Sequence, residues 1–250
     1  ALSSRLRGEH KIIIWDYPGL PNGDLGDNAI TVPFLAECQK RVIDDAEIDR
    51  ALFVGWSLGP QVNLEFANAF NKRVAALVAI CGVSGQPFAN TADEPIAEAL
   101  GLRAYVPGAV GWLSERIDRI EKLKSYLRKT EHPTRWAKRL GFVAEEVDEL
   151  IFDAVIRDFI DLPTKTYGKY VQAAAAHDAA NLLKELKAPL LAVAGTKDRL
   201  IPHSRVKRFA DQAKISEFLL VKGASHFAPL EFPDLIALKI DNFIKKNNAV

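Results

Sequence analysis

Short, continuous runs of apolar residues alternate with stretches of helical periodicity along most of this chain of 250 residues. Five of these runs have the length of strands, at 11–16, 50–56, 73–82, 188–195 and 216–223. They are largely apolar throughout rather than at every second position, which is typical of strands buried on both faces of a parallel sheet. The alternation predicts an α/β fold with a doubly wound, mostly parallel sheet and right-handed crossovers.

Helical periodicity occupies the segments between the runs. One predicted helix follows the second run and carries Val62, Phe66 and Phe70 on one face. A second helix closes the chain and is opened by Pro233. Its predicted core face consists of Leu235, Ile236, Ile240, Phe243 and Ile244.

The stretch from Val83 to Leu186 contains no convincing buried strand. It shows helical periodicity instead, first at Leu113, Ile117, Ile120, Leu123 and Leu127, then at Val147, Leu150, Ile151, Ala154 and Val155. The small residues of 173–180 are expected to continue a third helix. A segment of this length is too long for a passive loop. We therefore predict a helical cap over 84–186, inserted into a core made of 1–83 and 187–250.

Charge and cysteine content exclude several classes of protein. The chain has 33 basic and 32 acidic residues, a net charge of +1, which gives no electrostatic reason to expect nucleic acid or an anionic membrane as partner. Cys38 and Cys81 are too few for a disulfide framework or a cysteine-rich zinc site. No apolar run is long enough to span a bilayer, and 1–10 does not resemble a signal peptide. We expect a cytoplasmic protein.

The second apolar run leads directly into Gly55-Trp56-Ser57-Leu58-Gly59. In a Gly-x-Ser-x-Gly pattern between a strand and a helix, a sharp turn presents the serine hydroxyl, and the small residues on either side let the backbones pass closely. The Leu58 N–H at the start of the helix would face an oxyanion formed on the serine. The competing interpretation is that Ser57 only caps the helix in a tight turn.

A nucleophilic serine needs a base, and the base needs a group that orients it. Of the five histidines, only His226 is predicted to lie at the carboxyl end of a core strand, where Ser57 also lies. Asp198, in Gly195-Thr196-Lys197-Asp198, follows another core strand at the same edge. Its alternative role is that of a turn-forming residue before a helix. Asp16 also ends an apolar run, but it precedes the serine, and we interpret it as a turn residue that shapes the pocket floor.

The chain resembles the α/β-hydrolase superfamily, in the form with a helical cap. The resemblance lies in the Asp16-Tyr17-Pro18-Gly19 turn, the Gly55–Gly59 pattern, Asp198 and Gly223-Ala224-Ser225-His226, which occur in the family's order over nearly the whole chain. The pentapeptide around Ser57 is similar to that of pimeloyl-carrier-protein methyl esterases. Members of the superfamily carry a strand and a His-Gly loop ahead of the Asp16 turn, and that loop donates a second oxyanion N–H. We expect the fuller protein to contain this segment, which also fits the absence of Met at position 1.

These observations predict a serine hydrolase that cleaves a carboxylic ester or a related acyl bond. Ser57 is the expected nucleophile, His226 the base and Asp198 the orienting acid, and this chemistry needs neither a metal nor an organic cofactor. Trp56 and Phe227, with Trp112 and Trp136, are candidate walls of the pocket for a small apolar substrate. A non-catalytic ligand binder, a C–C bond hydrolase and an acyltransferase on the same fold stay open as alternatives. The oligomeric state is not predicted.

Overall fold

The computed structural model describes residues 1–8, 10–20, 25, 28–85 and 112–249, with the backbone alone for 112–116. The described strands are β1 Ala51–Trp56, β2 Val74–Ile80, β3 Leu190–Gly195 and β4 Ser216–Val221. They form one sheet in the order β1-β2-β3-β4, and all three pairings are parallel. The predicted parallel sheet is therefore confirmed, and four of the five apolar runs supply its strands.

Helices connect the strands. Those of the described residues are α1 Leu2–Leu6, α2 Val32–Asp45, α3 Gly59–Ala69, α4 Trp112–Arg128, α5 Pro133–Arg139, α6 Glu149–Asp161, α7 Thr164–Ala176, α8 Ala180–Glu185, α9 His203–Gln212, α10 Ala228–Glu231 and α11 Pro233–Asn247. A single 3-10 turn, Asn71–Arg73, precedes β2. Among these described helices, none is long and apolar enough to cross a membrane.

The side chains of β3 show why its sequence is apolar throughout. Leu190, Ala192 and Ala194 face one apolar cluster, which includes residues of α2, α3 and α9. Leu191 and Val193 face a second cluster on the other side of the sheet, with residues of α1 and α11. Every residue of β3 is buried, because helices cover both faces of the sheet at this strand.

The first apolar run does not form a strand. Residues 11–16 adopt no regular structure, and Ile13 and Ile14 are 38% and 71% exposed. Val54 of β1, an edge strand of the described sheet, is also exposed. A segment forms a β-strand only where a neighbouring strand pairs with it through backbone hydrogen bonds. An apolar sequence indicates only that the segment favours burial. The sequence pattern therefore predicted a pairing that the described residues do not make.

Within 112–186, the described part of the predicted insertion, the chain forms the helices α4 to α8, and that the segment is a cap stays a prediction. Its helices enclose a third apolar cluster, separate from the two that line the sheet: Leu127, Ala137, Val143, Val147, Phe152, Ile156 and Ile160. The predicted face of α6 was wrong, because Leu150 is 83% exposed while Phe152, Ile156 and Ile160 are buried. Asp148 caps α6 by accepting hydrogen bonds from the N–H groups of Leu150 and Ile151 in its first turn.

The small-residue run 173–180 is interrupted rather than continuously helical. Helix α7 ends at Ala176, and α8 begins at Ala180. Between them Asp178 forms an antiparallel bridge with Gly85, and the Ala179 N–H donates to the Ser84 carbonyl at 2.9 Å. A methyl group on Gly85 would overlap Asp178, so this close approach depends on glycine. A tertiary contact that helical periodicity does not encode thus ends the helix.

The core face of α11 gives a matched test of packing. Ile236 is fully buried, but Leu235, predicted for the same face, is 44% exposed. We expect Ile236→Ala to lower the free energy of unfolding by about 2–5 kcal/mol through lost burial and a cavity. Leu235→Ala should change it by less than about 0.5 kcal/mol. Chemical denaturation of both variants measures the difference, and equal effects would contradict the placement of the helix.

Candidate active site

Ser57 occupies a strained turn between β1 and α3. Its φ angle is 59°, in the left-handed region that residues other than glycine rarely adopt, and such a conformation costs about 1–3 kcal/mol. Its N–H donates to the carbonyl of Ile80 at 3.0 Å, which continues the pairing with β2 past the end of β1. Leu58 follows as the N-cap of α3. The serine hydroxyl therefore stands at the carboxyl edge of the sheet and beside a helix N-terminus.

Two glycines make this turn possible, and only one of them belongs to the predicted pair. A methyl group on Gly55 would overlap the carbonyl carbon of Gly59, as expected for backbones that pass closely. At Gly59 itself no described atom lies within 4 Å of where its Cβ would stand, so a need for glycine there stays a prediction. The second close approach is instead at Gly82, where a methyl group would overlap the Ser57 carbonyl oxygen. Sequence reasoning missed Gly82, which ends the third apolar run.

His226 lies between Ser57 and Asp198, as the sequence predicts. Its Nε2 is 3.0 Å from Ser57 Oγ, and its Nδ1 is 3.0 Å from Asp198 Oδ2. A carboxylate only accepts hydrogen bonds, so Nδ1 carries the proton and donates to Asp198. Nε2 then has a free lone pair directed at the serine hydroxyl, which donates to it. This tautomer is the one that a general base next to serine requires.

Asp198 also acts as a turn residue. Its Oδ1 accepts hydrogen bonds from the N–H groups of Leu200 and Ile201, both at 2.9 Å. The other oxygen is thus directed at His226. The geometry is therefore compatible with both interpretations of this residue, because one carboxylate oxygen shapes the turn and the other faces the imidazole.

The loops that carry Asp198 and His226 are bonded to each other backbone to backbone. The Lys197 N–H donates to the carbonyl of Ala224 at 2.8 Å. A methyl group on Gly195 would overlap the same carbonyl oxygen, so the end of β3 and the loop after β4 cross at glycine. Gly223 has a φ angle of 88° and donates its N–H to Thr196 Oγ1 at 2.9 Å. The separation of the acid and the histidine is therefore set by main-chain contacts.

Trp56 and Phe227, the predicted substrate contacts, pack around His226. The indole N–H of Trp56 donates to the His226 carbonyl at 2.8 Å, and the side chain is 38% exposed. The Trp56 and Phe227 rings meet edge to face with centroids 5.5 Å apart, and Phe152 of α6 packs on the far side of Phe227 at 4.9 Å. Trp56 therefore fixes the histidine loop, a contact that sequence reasoning did not anticipate.

The other residues predicted near the pocket are placed as follows. Trp136 stacks on Phe142, with centroids 5.8 Å apart, and both rings pack against the third apolar cluster. The side chain of Trp112 lies outside the described part of the structure. The Asp16 turn packs on α7, where the Tyr170 hydroxyl donates to the Pro18 carbonyl and the Tyr17 and Tyr170 rings stack. That Asp16 shapes the pocket floor stays a prediction.

Cys81 lies next to Asp198 and His226. Its Sγ, a carboxylate oxygen of Asp198 and a ring nitrogen of His226 lie within 4.8 Å of one another, a spacing compatible with a metal site. Burial and then the charge of Asp198 raise the pKa of the Cys81 thiol well above its usual range. The thiol donates to the Ser225 carbonyl at 3.8 Å. In the described arrangement the thiol, the carboxylate and the imidazole are each engaged in hydrogen bonds.

A parallel sheet with helices on both faces and a serine on a sharp strand-to-helix turn is the architecture of α/β hydrolases. Residues 1–238 match the sequence profile of the Alpha/beta hydrolase family, and the chain belongs to that family. The resemblance inferred from the sequence motifs is therefore confirmed.

Individual relatives are distant but cover most of the chain. A putative carbamate hydrolase, RutD, of Azorhizobium caulinodans is 25% identical over 92% of this chain and 79% of its own. An uncharacterized hydrolase, YugF, of Bacillus subtilis is 24% identical over 96% of this chain and 82% of its own. Among solved structures, an esterase from Exiguobacterium antarcticum superposes with a TM-score of 0.69 at 17% identity, covering 92% of this chain and 80% of the esterase. The structural likeness supports the fold.

The unequal surroundings of Gly55 and Gly59 give a matched prediction. Gly55→Ala should lower the free energy of unfolding by about 3 kcal/mol, because the added methyl group meets backbone that cannot move aside. Gly59→Ala should change it by less than about 0.5 kcal/mol, because its methyl group meets no described atom. Urea denaturation of the two variants checks this. Equal stability of the two would show that the turn does not have the described geometry.

Proposed function

We propose that this protein is a serine hydrolase that cleaves a carboxylic ester or a related acyl bond. The observation that carries the proposal is the position of His226, whose ring nitrogens lie 3.0 Å from Ser57 Oγ and 3.0 Å from Asp198 Oδ2. His226 and Asp198 are 7% and 6% exposed, so the hydrogen bonds that link them are shielded from water. A serine that only capped a helix would not need a buried imidazole directed at its hydroxyl.

The geometry suits an acyl-enzyme mechanism. Ser57 Oγ attacks the substrate carbonyl carbon while its proton passes to His226 Nε2, and Asp198 stabilises the imidazolium that forms. The C–O bond to the leaving group then breaks, and the same proton passes from Nε2 to the departing oxygen. Water, deprotonated by His226, attacks the acyl-enzyme, and the proton returns to Ser57 Oγ as the acid is released. These steps require no external oxidant, reductant or cofactor.

The oxyanion of each tetrahedral intermediate needs hydrogen-bond donors. Leu58 follows the serine as the N-cap of α3, where N–H groups and the helix dipole both favour negative charge. We assign the Leu58 N–H as one donor, since preorganised N–H groups at such a position stabilise the developing charge without reorganising. The second donor is expected from the loop that members of the superfamily carry ahead of the Asp16 turn.

We further propose that 84–186 acts as a cap over the site. The third apolar cluster, made by the helices of this segment, also contacts Phe227 and Leu230, which follow His226 in sequence. Phe152 of α6 packs on Phe227 with ring centroids 4.9 Å apart. These contacts bring the helices to the residues that directly follow His226. Aromatic rings at this position favour an apolar acyl or alcohol group, and the name of the RutD relatives adds carbamates to the bonds worth testing.

The first prediction of the proposed mechanism concerns the nucleophile. The wild-type protein should take up one equivalent of a fluorophosphonate probe, because His226 activates the Ser57 hydroxyl, and Ser57→Ala should take up none. Intact-mass spectrometry before and after treatment measures the adduct. Wild-type protein that is folded, as judged by circular dichroism, yet stays unmodified would overturn the proposal and favour a non-catalytic ligand binder.

The class of bond that the enzyme cleaves is tested with the same wild-type and Ser57→Ala proteins. A panel of p-nitrophenyl esters of increasing acyl length, an aryl carbamate and a vinylogous 1,5-diketone separates ester, carbamate and C–C bond hydrolysis by product analysis. We expect turnover of an ester or carbamate, with release of the free acid or carbamic acid. Turnover of the diketone alone would replace the ester proposal with the C–C hydrolase, and product formed only with an added alcohol would indicate acyl transfer.

The second prediction concerns the acid. In Asp198→Asn the amide oxygen can still accept from Leu200 and Ile201, so the amide N–H₂ would face His226 Nδ1 and force its proton onto Nε2. The imidazole could then no longer accept the serine proton, and kcat/KM should fall by about 10⁴-fold. Asp211→Asn, at an exposed carboxylate paired with Lys207, is the matched control and should leave kcat/KM unchanged. Retained activity in Asp198→Asn would show that Asp198 has no part in the mechanism.

A cytoplasmic location stays a prediction.

A further inference from the structure

Glu231 is a buried carboxylate that the mechanism does not use. It is 5% exposed and ends α10, five residues after His226. None of the ion pairs found among the described residues includes it, so no basic side chain there is paired with its charge. Burying an ionised carboxylate is costly unless hydrogen-bond donors surround it. Its partners therefore indicate what the residue does.

Those partners are the backbone beside His226 and one backbone group of the inserted segment. Glu231 Oε2 accepts from the Ser225 N–H at 2.7 Å. Oε1 accepts from the Ser225 hydroxyl and from the N–H of Ala144, the latter at 2.7 Å. Hydrogen bonds of this length to a charged acceptor are about twice as strong as neutral ones. One side chain thus joins the histidine loop to a segment 87 residues away in sequence.

The hydrogen bonds reach both neighbours of the histidine. Ser225 precedes His226 and is held directly. Phe227 follows it, and the Phe227 N–H donates to the Ser225 hydroxyl oxygen at 3.1 Å, while that hydroxyl donates to Glu231. The main chain on either side of His226 is therefore fixed by one carboxylate, directly or through one hydroxyl group.

We propose that Glu231 is a positioning residue, whose buried carboxylate holds Ser225 and Phe227 so that His226 stays aligned between Ser57 and Asp198, and fixes this loop to the inserted segment through Ala144. The inference rests on the hydrolase function proposed above. It differs from a purely structural role in one respect: the loss of alignment lowers the reaction rate even where the fold is intact.

The chemistry of the site requires a carboxylate rather than an amide. Both oxygens of Glu231 face donors, and the Ser225 N–H, the Ala144 N–H and the Ser225 hydroxyl have only these two oxygens to share. In Glu231→Gln one oxygen becomes an N–H₂ group, which places a donor against a donor in either orientation of the amide. The variant has nearly the same shape, so it perturbs the hydrogen bonds while leaving the packing in place.

The test compares Glu231→Gln with wild type by the rate of fluorophosphonate labelling and by kcat and KM for an ester substrate. We expect kcat and the labelling rate to fall by about 100-fold, the loss typical of a small misplacement at the reacting groups, with KM nearly unchanged. Glu217→Gln is the matched control, since Glu217 of β4 pairs with Lys239 and Lys246 on the outside of the core. It should leave both rates unchanged even if it lowers the unfolding temperature.

A spectroscopic readout separates alignment from stability. The Nδ1 proton that His226 shares with Asp198 should give a downfield proton resonance in wild type that is lost in His226→Ala. In Glu231→Gln we expect this resonance to shift or broaden by exchange, and in Glu217→Gln to persist. An unshifted resonance together with wild-type rates in Glu231→Gln would overturn the proposal.

Ser225→Ala decides the matter if Glu231→Gln does not fold. It keeps both backbone donors to the carboxylate and removes only the hydroxyl that links Glu231 to Phe227. A fall in kcat of about 10-fold at unchanged KM, as expected when one of several alignment contacts is lost, would support the proposal. Wild-type kcat in Ser225→Ala would overturn it. Failure of the wild-type protein itself to label would instead overturn the hydrolase function.

Discussion

The arrangement of the site depends on close backbone crossings at the carboxyl edge of the sheet. The end of β3 passes the loop after β4 at Gly195, where any larger residue would overlap the Ala224 carbonyl oxygen. The end of β2 passes the serine turn at Gly82 in the same way, against the Ser57 carbonyl oxygen. These crossings set how far Ser57, His226 and Asp198 stand from one another. Packed backbone deforms less readily than side chains reorient. Side chains held by these crossings therefore need to reorient little to reach their positions.

The site residues that could be located from the sequence are those that directly follow a predicted strand. Ser57, Asp198 and His226 each come directly after a predicted strand, and the carboxyl ends of parallel strands meet at one edge. This rule places three distant residues together without any knowledge of contacts. It holds here because the four paired runs are largely apolar and end at recognisable residues, so that the ends of the strands could be located to within about two residues.

The features that the sequence did not predict are products of tertiary contact. Gly82 and Gly195 end apolar runs like other glycines, and only the crossing chain shows why a side chain is excluded. The break in the helix at Asp178 follows from the bridge to Gly85. Residues 11–16 are apolar but pair with no described strand, because composition indicates burial and not the presence of a neighbour. Glu231 lies between Leu230 and Phe232, an apolar setting that could have marked it as a buried acid, but its donors could not be inferred.

The segment between β2 and β3 contacts the region that carries His226 in two different ways. Phe152 packs on Phe227 by apolar contact, which tolerates small shifts of the rings. The Ala144 N–H meets Glu231 through a directional, charge-assisted hydrogen bond, which weakens steeply when its geometry changes. A movement of the inserted segment relative to the sheet would therefore preserve the first contact longer than the second. If Glu231 aligns His226 as proposed, this polar contact, though a single hydrogen bond, is the one that couples the position of the segment to that alignment.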